Sequence, residues 1–213
     1  MEVNLLTGDD MIGDMELNAA FAALTCRGNA NKEFKKFAPR QVLERIIKAG
    51  HESVLEHITV TYSVKWLSRA CLQELARHRH ISLSVESTRH TVRKIAADGI
   101  AWKDYRENTK SECQDVFDNF VHFAWDHPDI ADDELKYRLP ECWPTNLVLT
   151  SNVRELRHIV KLRTAPAALK EFQELARKLF EAVPDEFKYL LEDCVYKAED
   201  RWDTPKKQPR EGE

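Results

Sequence analysis

Thirteen consecutive residues, from Arg77 to Arg89, concentrate the side chains of this chain that are best suited to bind an anion. They comprise three arginines, two histidines and a run of hydroxyl side chains, namely Arg77, His78, Arg79, His80, Ser82, Ser84, Ser87, Thr88 and Arg89. Arginine presents a planar fork of donors to phosphate oxygens, and hydroxyls and loop amides supply further donors. This composition favours a phosphate-bearing small molecule as the ligand. The alternative is a solvated basic helix end, because most charged side chains lie at the surface.

The spacing within this stretch resembles the signature of the flavin-dependent thymidylate synthases. Arg77-His78-Arg79 is followed by seven residues and then by Ser87, with Arg89 two residues further on. Members of that family methylate dUMP to dTMP with a bound FAD. The resemblance implies that Arg77, His78 and Arg79 contact FAD and that Arg77 also reaches dUMP.

A second polar block, from Gly50 to His57, carries two imidazoles and two carboxylates. His51 and His57 are six residues apart and lack the spacing that puts two metal ligands on one helical face, which argues against a metal site. Family members carry Gly-His-Glu-Ser/Thr-Pro-x-Glu-His here, and this chain has Val54 in place of the proline. The resemblance implies three contacts of this block with the flavin nucleotide, by His51, Ser53 and Glu56.

The residues from Trp66 to His78 are predicted to form a helix. Glu74 and Arg77 share one face of it with His78, because residues three and four apart are neighbours on a helix. A surface ion pair between Glu74 and Arg77 is one interpretation. The resemblance instead places Glu74 at a polar edge of dUMP, where most members have glutamine. A carboxylate cannot donate a hydrogen bond unless it is protonated, so the contact with dUMP differs in this chain.

The segment from Ser82 to Arg89 is predicted to be a loop, without the alternation of apolar and polar residues that a half-buried strand needs. Family members place dUMP against this segment through backbone amides and a guanidinium, which implies dUMP contacts by Val85, Glu86, Ser87, Thr88 and Arg89. Asn-Glu or Ser-Gln is common where this chain has Ser84-Val85, so a side-chain contact there is lost or changed. Ser87 is predicted to position the substrate, since no histidine–carboxylate pair is evident to activate it as a nucleophile.

Two cations precede Pro140, at Lys136 and Arg138. The family has an arginine four residues before this proline, which contacts the nucleotide phosphate from a neighbouring subunit. The resemblance therefore assigns dUMP binding to Lys136, with Arg138 as a nearby substitute. Lysine serves as a point charge and not as a bidentate fork.

A third block, residues 150–163, is predicted to be a helix capped by Asn152, with Glu155 completing a capping box. Arg163 falls at the end of the apolar stripe of this helix, where its permanent charge needs an anionic or carbonyl partner. The spacing of the block matches the synthases. The resemblance implies that Arg163 touches the uracil ring and is the catalytic residue, and that three other residues contact FAD, namely Asn152, Arg154 and His158.

Composition excludes several classes of protein. The chain has 213 residues, a formal net charge of -4, 43% hydrophobic and 32% charged residues. The acidic balance argues against a general nucleic-acid or membrane-surface binder. No apolar run approaches the roughly 20 residues of a membrane span, and the first residues lack the layout of a signal peptide. Five widely spaced cysteines fit reduced thiols, so we expect a cytoplasmic protein.

We expect a single α+β domain over residues 1–203, with a mixed sheet flanked by several long helices, and a disordered tail over residues 204–213. The mixed sheet is implied by the resemblance. Other predicted elements are strands at Val3–Leu6 and Ile58–Ser63, and helices at Met15–Thr25, Pro39–Gly50, Trp102–Trp125, Leu169–Phe180 and Pro184–Tyr196.

The resemblance also implies NADPH or NADH as reductant, methylene-tetrahydrofolate as carbon donor, and a homotetramer with sites shared between subunits. It implies no nucleic-acid or membrane partner. Two other functions stay open at this point. One is a metal-dependent phosphohydrolase that uses His51, His57, His78 and His80. The other is a non-catalytic nucleotide- or RNA-binding module centred on the Arg-His-Arg cluster.

Overall fold

The computed structural model of the protein describes residues 1–29 and 38–197. The predicted tail, residues 204–213, lies outside this range. Nine α-helices are present in the described part of the chain: α1 Asp9–Cys26, α2 Pro39–Lys48, α3 Arg69–Leu75, α4 Thr88–Ala97, α5 Gly99–Glu107, α6 Gln114–Asp126, α7 Asp132–Leu135, α8 Val153–Arg163 and α9 Lys170–Glu181. The strands are β1 Glu2–Leu5, β2 Thr59–Ser68, β3 Ile81–Val85 and β4 Pro144–Asn152. Short 3-10 helices cover Glu52–His57, Ser111–Cys113, Lys136–Arg138, Asp185–Leu190 and Glu192–Cys194.

The four strands form one sheet in the order β1-β2-β4-β3. The central pair, β2 and β4, aligns Tyr62 with Leu149, two fully buried residues. All three pairings are antiparallel. The predicted α+β fold is therefore confirmed, but the sheet differs from the expected mixed one, since a mixed sheet needs at least one parallel pair.

The predicted helix from Trp66 to His78 begins three residues later than expected, at Arg69, and ends three residues earlier, at Leu75. Residues 66–68 continue β2 through a bulge between Val64 and Leu67, and Trp66 adopts a positive φ of 63°. The helix α3 starts only after Ser68, whose Oγ accepts a hydrogen bond of 3.1 Å from the N–H of Cys71. Serine at this position satisfies one of the free N–H groups of the first turn, so the cap determines where the helix begins.

The predicted loop from Ser82 to Arg89 was wrong. Residues 81–85 form β3, paired with β4 over its full length, and α4 begins at Thr88 with Ser87 at its N-cap position. The apolar side chains of Ile81 and Leu83 are half-buried, and those of Ser82 and Ser84 are exposed. This alternation has the period of two that a strand at the edge of a sheet requires.

Buried side chains form two hydrophobic clusters. The larger one includes residues of the sheet and of five α-helices, α1, α2, α3, α8 and α9. The second lies among α4, α5, α6 and α7, and it is built around Trp143 and Phe117, which stack with their ring centroids 4.9 Å apart. The single helix predicted for residues 102–125 is thus two helices, α5 and α6, that pack on this second cluster. The helix predicted for residues 184–196 is replaced by two 3-10 helices.

A glycine at the start of the second polar block ends α2 and turns the chain. Gly50 follows α2 with a positive φ of 72°, which glycine adopts without steric cost. The N–H of His51 then donates to the carbonyl of Ile46 over 3.0 Å, closing the helix end as the sequence predicted. In the described residues, no helix is long and apolar enough to cross a membrane.

Candidate functional site

Two adjoining cavities bring the three predicted blocks together. The first, of about 410 Å³, is lined by Glu74, Arg77, His78, Arg79, His80, Glu155, His158, Leu162 and Arg163. The second, of about 570 Å³, is lined by Glu52, Glu56, His80, Asn152, Arg154, Glu155 and His158. They share the side chains of His80, Glu155 and His158. Residues from the end of α3, from the 3-10 helix Glu52–His57 and from α8 thus surround one region of the surface.

The junction between β4 and α8 orients the lining residues of α8. The side chain of Asn152 accepts a hydrogen bond of 2.8 Å from the N–H of Glu155, which confirms the predicted N-cap. The carboxylate of Glu155 lies 3.0 Å from Nδ1 of His78. The carboxylate of Glu155 thus contacts an imidazole, where a full capping box would direct it to the N–H of the cap residue.

Arg163 is held by three neighbours at the wall of the first cavity. Its Nε donates to Nε2 of His78 over 3.1 Å, and its Nη1 donates to Oε2 of Glu74 over 2.8 Å. The guanidinium carbon also lies 4.5 Å from the ring centroid of Phe172. The anionic partner that the sequence required for Arg163 is therefore Glu74. These contacts fix the plane of a guanidinium that is only 14% exposed.

His78 is neutral in this arrangement. Burial lowers the pKa of its imidazole, and the charge of Arg163 lowers it further, against the opposing hydrogen bond of Glu155. Because Nε2 accepts from Arg163, the ring hydrogen lies on Nδ1 and is donated to Glu155. The hydrogen bonds thus assign one tautomer. A carboxylate, an imidazole, a guanidinium and a second carboxylate form a continuous chain from Glu155 to Glu74.

One group of side chains has the geometry of a metal site. Potential ligand atoms of His78, Glu155 and His158 all lie within 4.8 Å of one another. The only lone pair of His78 that could bind an ion accepts instead from the cationic Arg163. A guanidinium at 3.1 Å also repels a metal cation, so the arrangement favours the hydrogen-bonded chain over a metal centre.

The residues assigned to FAD are divided between the two cavities. Four line the second cavity, namely Glu56, Asn152, Arg154 and His158, and three line only the first, namely Arg77, His78 and Arg79. Glu56 and Arg154 form an ion pair in which both side chains are about half exposed, at 51% and 52%. Such a pair contributes little free energy and can exchange one partner for a ligand. His51 and Ser53 flank the start of the 3-10 helix Glu52–His57, but they are not among the lining residues of either cavity.

The residues assigned to dUMP divide into two groups. Glu74, Arg77 and Arg163 line the first cavity, whereas residues 85–89, at the end of β3 and the start of α4, line neither cavity. Arg89 forms an ion pair with Asp133. Lys136 is exposed in the 3-10 helix Lys136–Arg138 and lines neither cavity of the described chain.

A family model described as "Thymidylate synthase complementing protein" matches residues 10–187 of the chain. A flavin-dependent thymidylate synthase of Campylobacter jejuni is 37% identical over 183 residues, which are 81% of this chain and 84% of the relative. One from Helicobacter pylori is 37% identical over 163 residues, covering 68% of this chain and 76% of the relative.

The chain belongs to the flavin-dependent thymidylate synthase family.

Solved structures of flavin-dependent thymidylate synthases have the same fold. A crystal structure of Thymidylate Synthase X from Helicobacter pylori, with FAD and dUMP, superposes with a TM-score of 0.76 at 31% sequence identity. The match covers 92% of this chain and 100% of that chain. The expected family and the α+β class are both confirmed. Family membership does not favour the phosphohydrolase alternative, whose His51 and His57 also lie outside the cluster of His78, Glu155 and His158.

Sequence reasoning on the flavin-dependent thymidylate synthase pattern missed several residues of the site. Glu155 was predicted only as part of a helix cap. It lies on the first turn of that helix between Asn152 and His158, two predicted FAD residues, and this position could have suggested its contact with His78. Glu52 lines the second cavity and contacts the buried Arg157 at 2.9 Å. Tyr105 and Asn146, which contact Glu86, gave no signal in the sequence because they lie in separate elements.

Proposed function

We propose that this chain catalyses the reductive methylation of dUMP to dTMP, with methylene-tetrahydrofolate as carbon donor and NADPH or NADH as reductant of a bound FAD. The observation that carries this proposal is Arg163, a permanently cationic side chain fixed by Glu74 and His78 at a cavity wall in a member of this family. The Helicobacter pylori structures, which were determined with FAD and dUMP, support the same ligands here.

The donor set of the cavities fits FAD. Arg77 and Arg79 at the first cavity and Arg154 at the second are exposed cations suited to the diphosphate of the cofactor. The carboxylates of Glu52 and Glu56 can accept from ribose hydroxyls. We assign FAD binding to these residues together with His51, Ser53, His78, Asn152 and His158. When bound, FAD supplies the redox chemistry by which NADPH or NADH reduces the transferred carbon.

Arg163 stabilises the negative charge that develops on the uracil ring as its carbon attacks the methylene group. Its guanidinium stays protonated, because both His78 and Glu74 accept hydrogen bonds from it without removing a proton. These contacts occupy Nε and one hydrogen of Nη1, and the remaining donors can meet a uracil carbonyl. A fixed cation in a water-poor site stabilises a developing anion more strongly than water does.

Glu74 has a different role from the glutamine that is usual in the family. Its Oε2 accepts from Arg163, so its carboxylate orients the guanidinium rather than donating to the uracil. The negative charge also compensates the buried cation. The contact with dUMP is thus indirect at this position.

The phosphate of dUMP is bound by the segment that starts α4. Arg89 carries the charge, Ser87 and Thr88 supply hydroxyl and amide donors, and Val85 contributes through its backbone alone. In the structure Arg89 pairs with Asp133, with side chains that are 56% and 62% exposed, and so exposed a pair is readily exchanged for a phosphate. Lys136 of a neighbouring subunit in a homotetramer completes this subsite.

The test is an absorption spectrum of the purified protein, recorded anaerobically before and after addition of NADPH and dUMP. The proposal predicts a flavin band that bleaches faster when dUMP is present, because both ligands occupy one coupled site. Absence of a flavin band, also after incubation with FAD and desalting, would contradict the proposed function.

A further inference from the structure

The start of the segment 87–89 is restrained by Glu86, which makes several contacts within the chain. The N–H of Glu86 donates to the carbonyl of Asn146 over 2.9 Å. Its carboxylate accepts from the hydroxyl of Tyr105 over 2.5 Å and from Nδ2 of Asn146 over 2.8 Å. Both carboxylate oxygens and the backbone donor of Glu86 are therefore engaged within the protein, although the sequence had assigned this residue to dUMP.

The partners of Glu86 belong to separate layers of the fold. Asn146 lies in β4, at the centre of the sheet, whereas Tyr105 lies in α5 and is buried in the second hydrophobic cluster at 8% exposure. Glu86 directly follows the last residue of β3 and is separated from α4 by Ser87 alone. The carboxylate of Glu86 thus links β4 to α5 at the point where the chain leaves β3.

Asn146 and Tyr105, the two residues that donate to Glu86, are themselves held in place. Oδ1 of Asn146 accepts from the N–H of Trp66 over 3.1 Å, which leaves its Nδ2 directed at Glu86. Trp66 adopts a positive φ of 63°, a conformation that a bulky residue retains only when its surroundings impose it. The ring of Trp66 meets the ring of Tyr105 edge to face, with centroids 5.1 Å apart. The strained backbone of β2 therefore positions both donors of Glu86.

We propose that Tyr105 and Asn146 are positioning residues for dUMP, which hold Glu86 so that Ser87, Thr88 and Arg89 keep the geometry that binds the nucleotide phosphate. This inference rests on the proposed function. The direction in which α4 leaves the sheet depends on the angle between Glu86 and its two donors. Loss of one donor lets the first turn of α4 move relative to β4, and a phosphate site is sensitive to displacements well below one ångström. Neither side chain takes part in the chemistry itself.

The chain offers a matched control for removal of the Tyr105 hydroxyl. Tyr189 is also a buried phenol, 6% exposed, and its hydroxyl also donates to a carboxylate, that of Glu16. Tyr189 belongs to the larger hydrophobic cluster, whereas Tyr105 belongs to the second. Tyr105→Phe and Tyr189→Phe therefore remove the same kind of hydrogen bond in two different places.

The experiment measures the dissociation constants of dUMP and FAD, kcat and KM for dUMP, and the melting temperature of each FAD-loaded variant. Tyr105→Phe is expected to raise the Kd and KM of dUMP about 5- to 30-fold. This is only part of the effect of a lost hydrogen bond to a charged group, because Asn146 still holds Glu86. The Kd of FAD and the kcat at saturating dUMP are expected to stay within about twofold, because the cavities and Arg163 do not contact Tyr105. Tyr189→Phe is expected to lower the melting temperature while leaving the Kd of dUMP unchanged.

Asn146→Ala provides an independent variant, expected to weaken dUMP binding in the same direction. A Kd of dUMP that is unchanged in Tyr105→Phe, or that rises equally in Tyr189→Phe, would overturn the positioning role. If the wild type binds FAD and turns over dUMP, and the Kd and KM of dUMP are unchanged in Tyr105→Phe, this inference alone is contradicted. Failure of the wild type to bind dUMP would contradict the proposed function, and this inference with it.

Discussion

Arg163 makes the most specific set of contacts of any residue in the first cavity. Its neighbours restrain it in two ways: hydrogen bonds to Glu74 and His78 fix the plane of the guanidinium, and the ring of Phe172 lies against it. Lysine could not reproduce this pattern, because its ammonium is a point charge without a fixed plane. The side chain is therefore suited to a charge that develops at one place and in one orientation.

Replacement of Arg163 is predicted to impair catalysis without preventing FAD binding. Arg163→Ala is expected to retain FAD and to lower kcat by at least about 10²- to 10³-fold, the usual effect of removing a donor that stabilises a developing oxyanion. Lys161→Ala removes an exposed cation from the same last turn of α8 and is the matched control. Turnover of Arg163→Ala near the wild-type rate, measured by tritium release or dTMP formation, would show that the catalytic assignment is wrong.

The neutral imidazole of His78 predicts a pH dependence of stability. Its pKa in the folded protein is lowered by burial, so below the unfolded pKa of about 6.5 the unfolded chain binds a proton that the folded chain does not. The free energy of unfolding is then expected to fall as the pH decreases from about 6.5 toward the folded pKa, by up to about 1.4 kcal/mol per pH unit. Urea denaturation at pH 5, 6 and 7 measures this slope.

The variant His78→Gln serves as the comparison for that slope. Glutamine can accept from Arg163 and donate to Glu155 without titrating. We expect a smaller dependence of stability on pH between 5 and 6.5 in this variant. Equal slopes in the two proteins would mean that another group is responsible for the acid sensitivity.

At the scale of elements, α3 is positioned by its N-terminal cap. Ser68 is 7% exposed, accepts from the N–H of Cys71 and donates from Oγ to Glu171 over 2.6 Å. Glu171 also accepts from the backbone N–H of Ser68 over 2.7 Å and from Lys110 over 3.1 Å. This network ties α3, which leads directly to the arginine-rich stretch, to the start of α9.

Ser68→Ala is predicted to destabilise the protein by about 1–3 kcal/mol, since it removes a helix cap and leaves a buried carboxylate with one donor fewer. The measurement is the free energy of unfolding in urea. Ser111→Ala, in an exposed 3-10 helix, is expected to change it by less than about 0.5 kcal/mol. A cost below that of the control would indicate that Glu171 finds another donor.

Sequence reasoning succeeded for elements whose signals are local and failed where another element decides the conformation. Proline at the start of α2, glycine after it and asparagine before α8 marked boundaries that the structure reproduces. The bulge at Trp66 could not be expected, because a positive φ is rare for an aromatic residue and is imposed here by contacts across the sheet. The strand β3 was missed although Ile81 and Leu83 alternate with serines, since the hydroxyls were interpreted as ligands.

At the scale of the whole molecule, the two groups of predicted dUMP residues lie in different regions of one chain. Arg163 lines the first cavity, whereas Arg89 and Lys136 line neither of the two cavities described above. Sites shared between subunits would bring such groups together, as the resemblance to the family implies. The sequence predicted which residues belong to the site from their spacing, but the spacing carries no information on which copy of the chain supplies each one.

Shared sites predict complementation between inactive variants. Lys136→Ala and Arg163→Ala, coexpressed in equal amounts, are expected to assemble into mixed tetramers in which about a quarter of the sites have both native residues. The activity of the mixture should then exceed that of either variant alone. Activity no greater than the average of the two variants, in tetramers verified by sedimentation and by mass spectrometry, would place both residues in the same chain.

The position of β3 in the sheet has a consequence for how the protein is made. Among the described strands β3 pairs with β4 alone, and β4 begins at Pro144, long after β3 ends at Val85. At a synthesis rate of roughly 5–20 residues per second, β3 waits several seconds on the ribosome for its partner. During that interval it presents an unpaired strand edge of the kind that favours aggregation. A nascent chain interrupted before Asn152 therefore exposes β3 together with the predicted dUMP residues that follow it, and we expect such a chain to need chaperones.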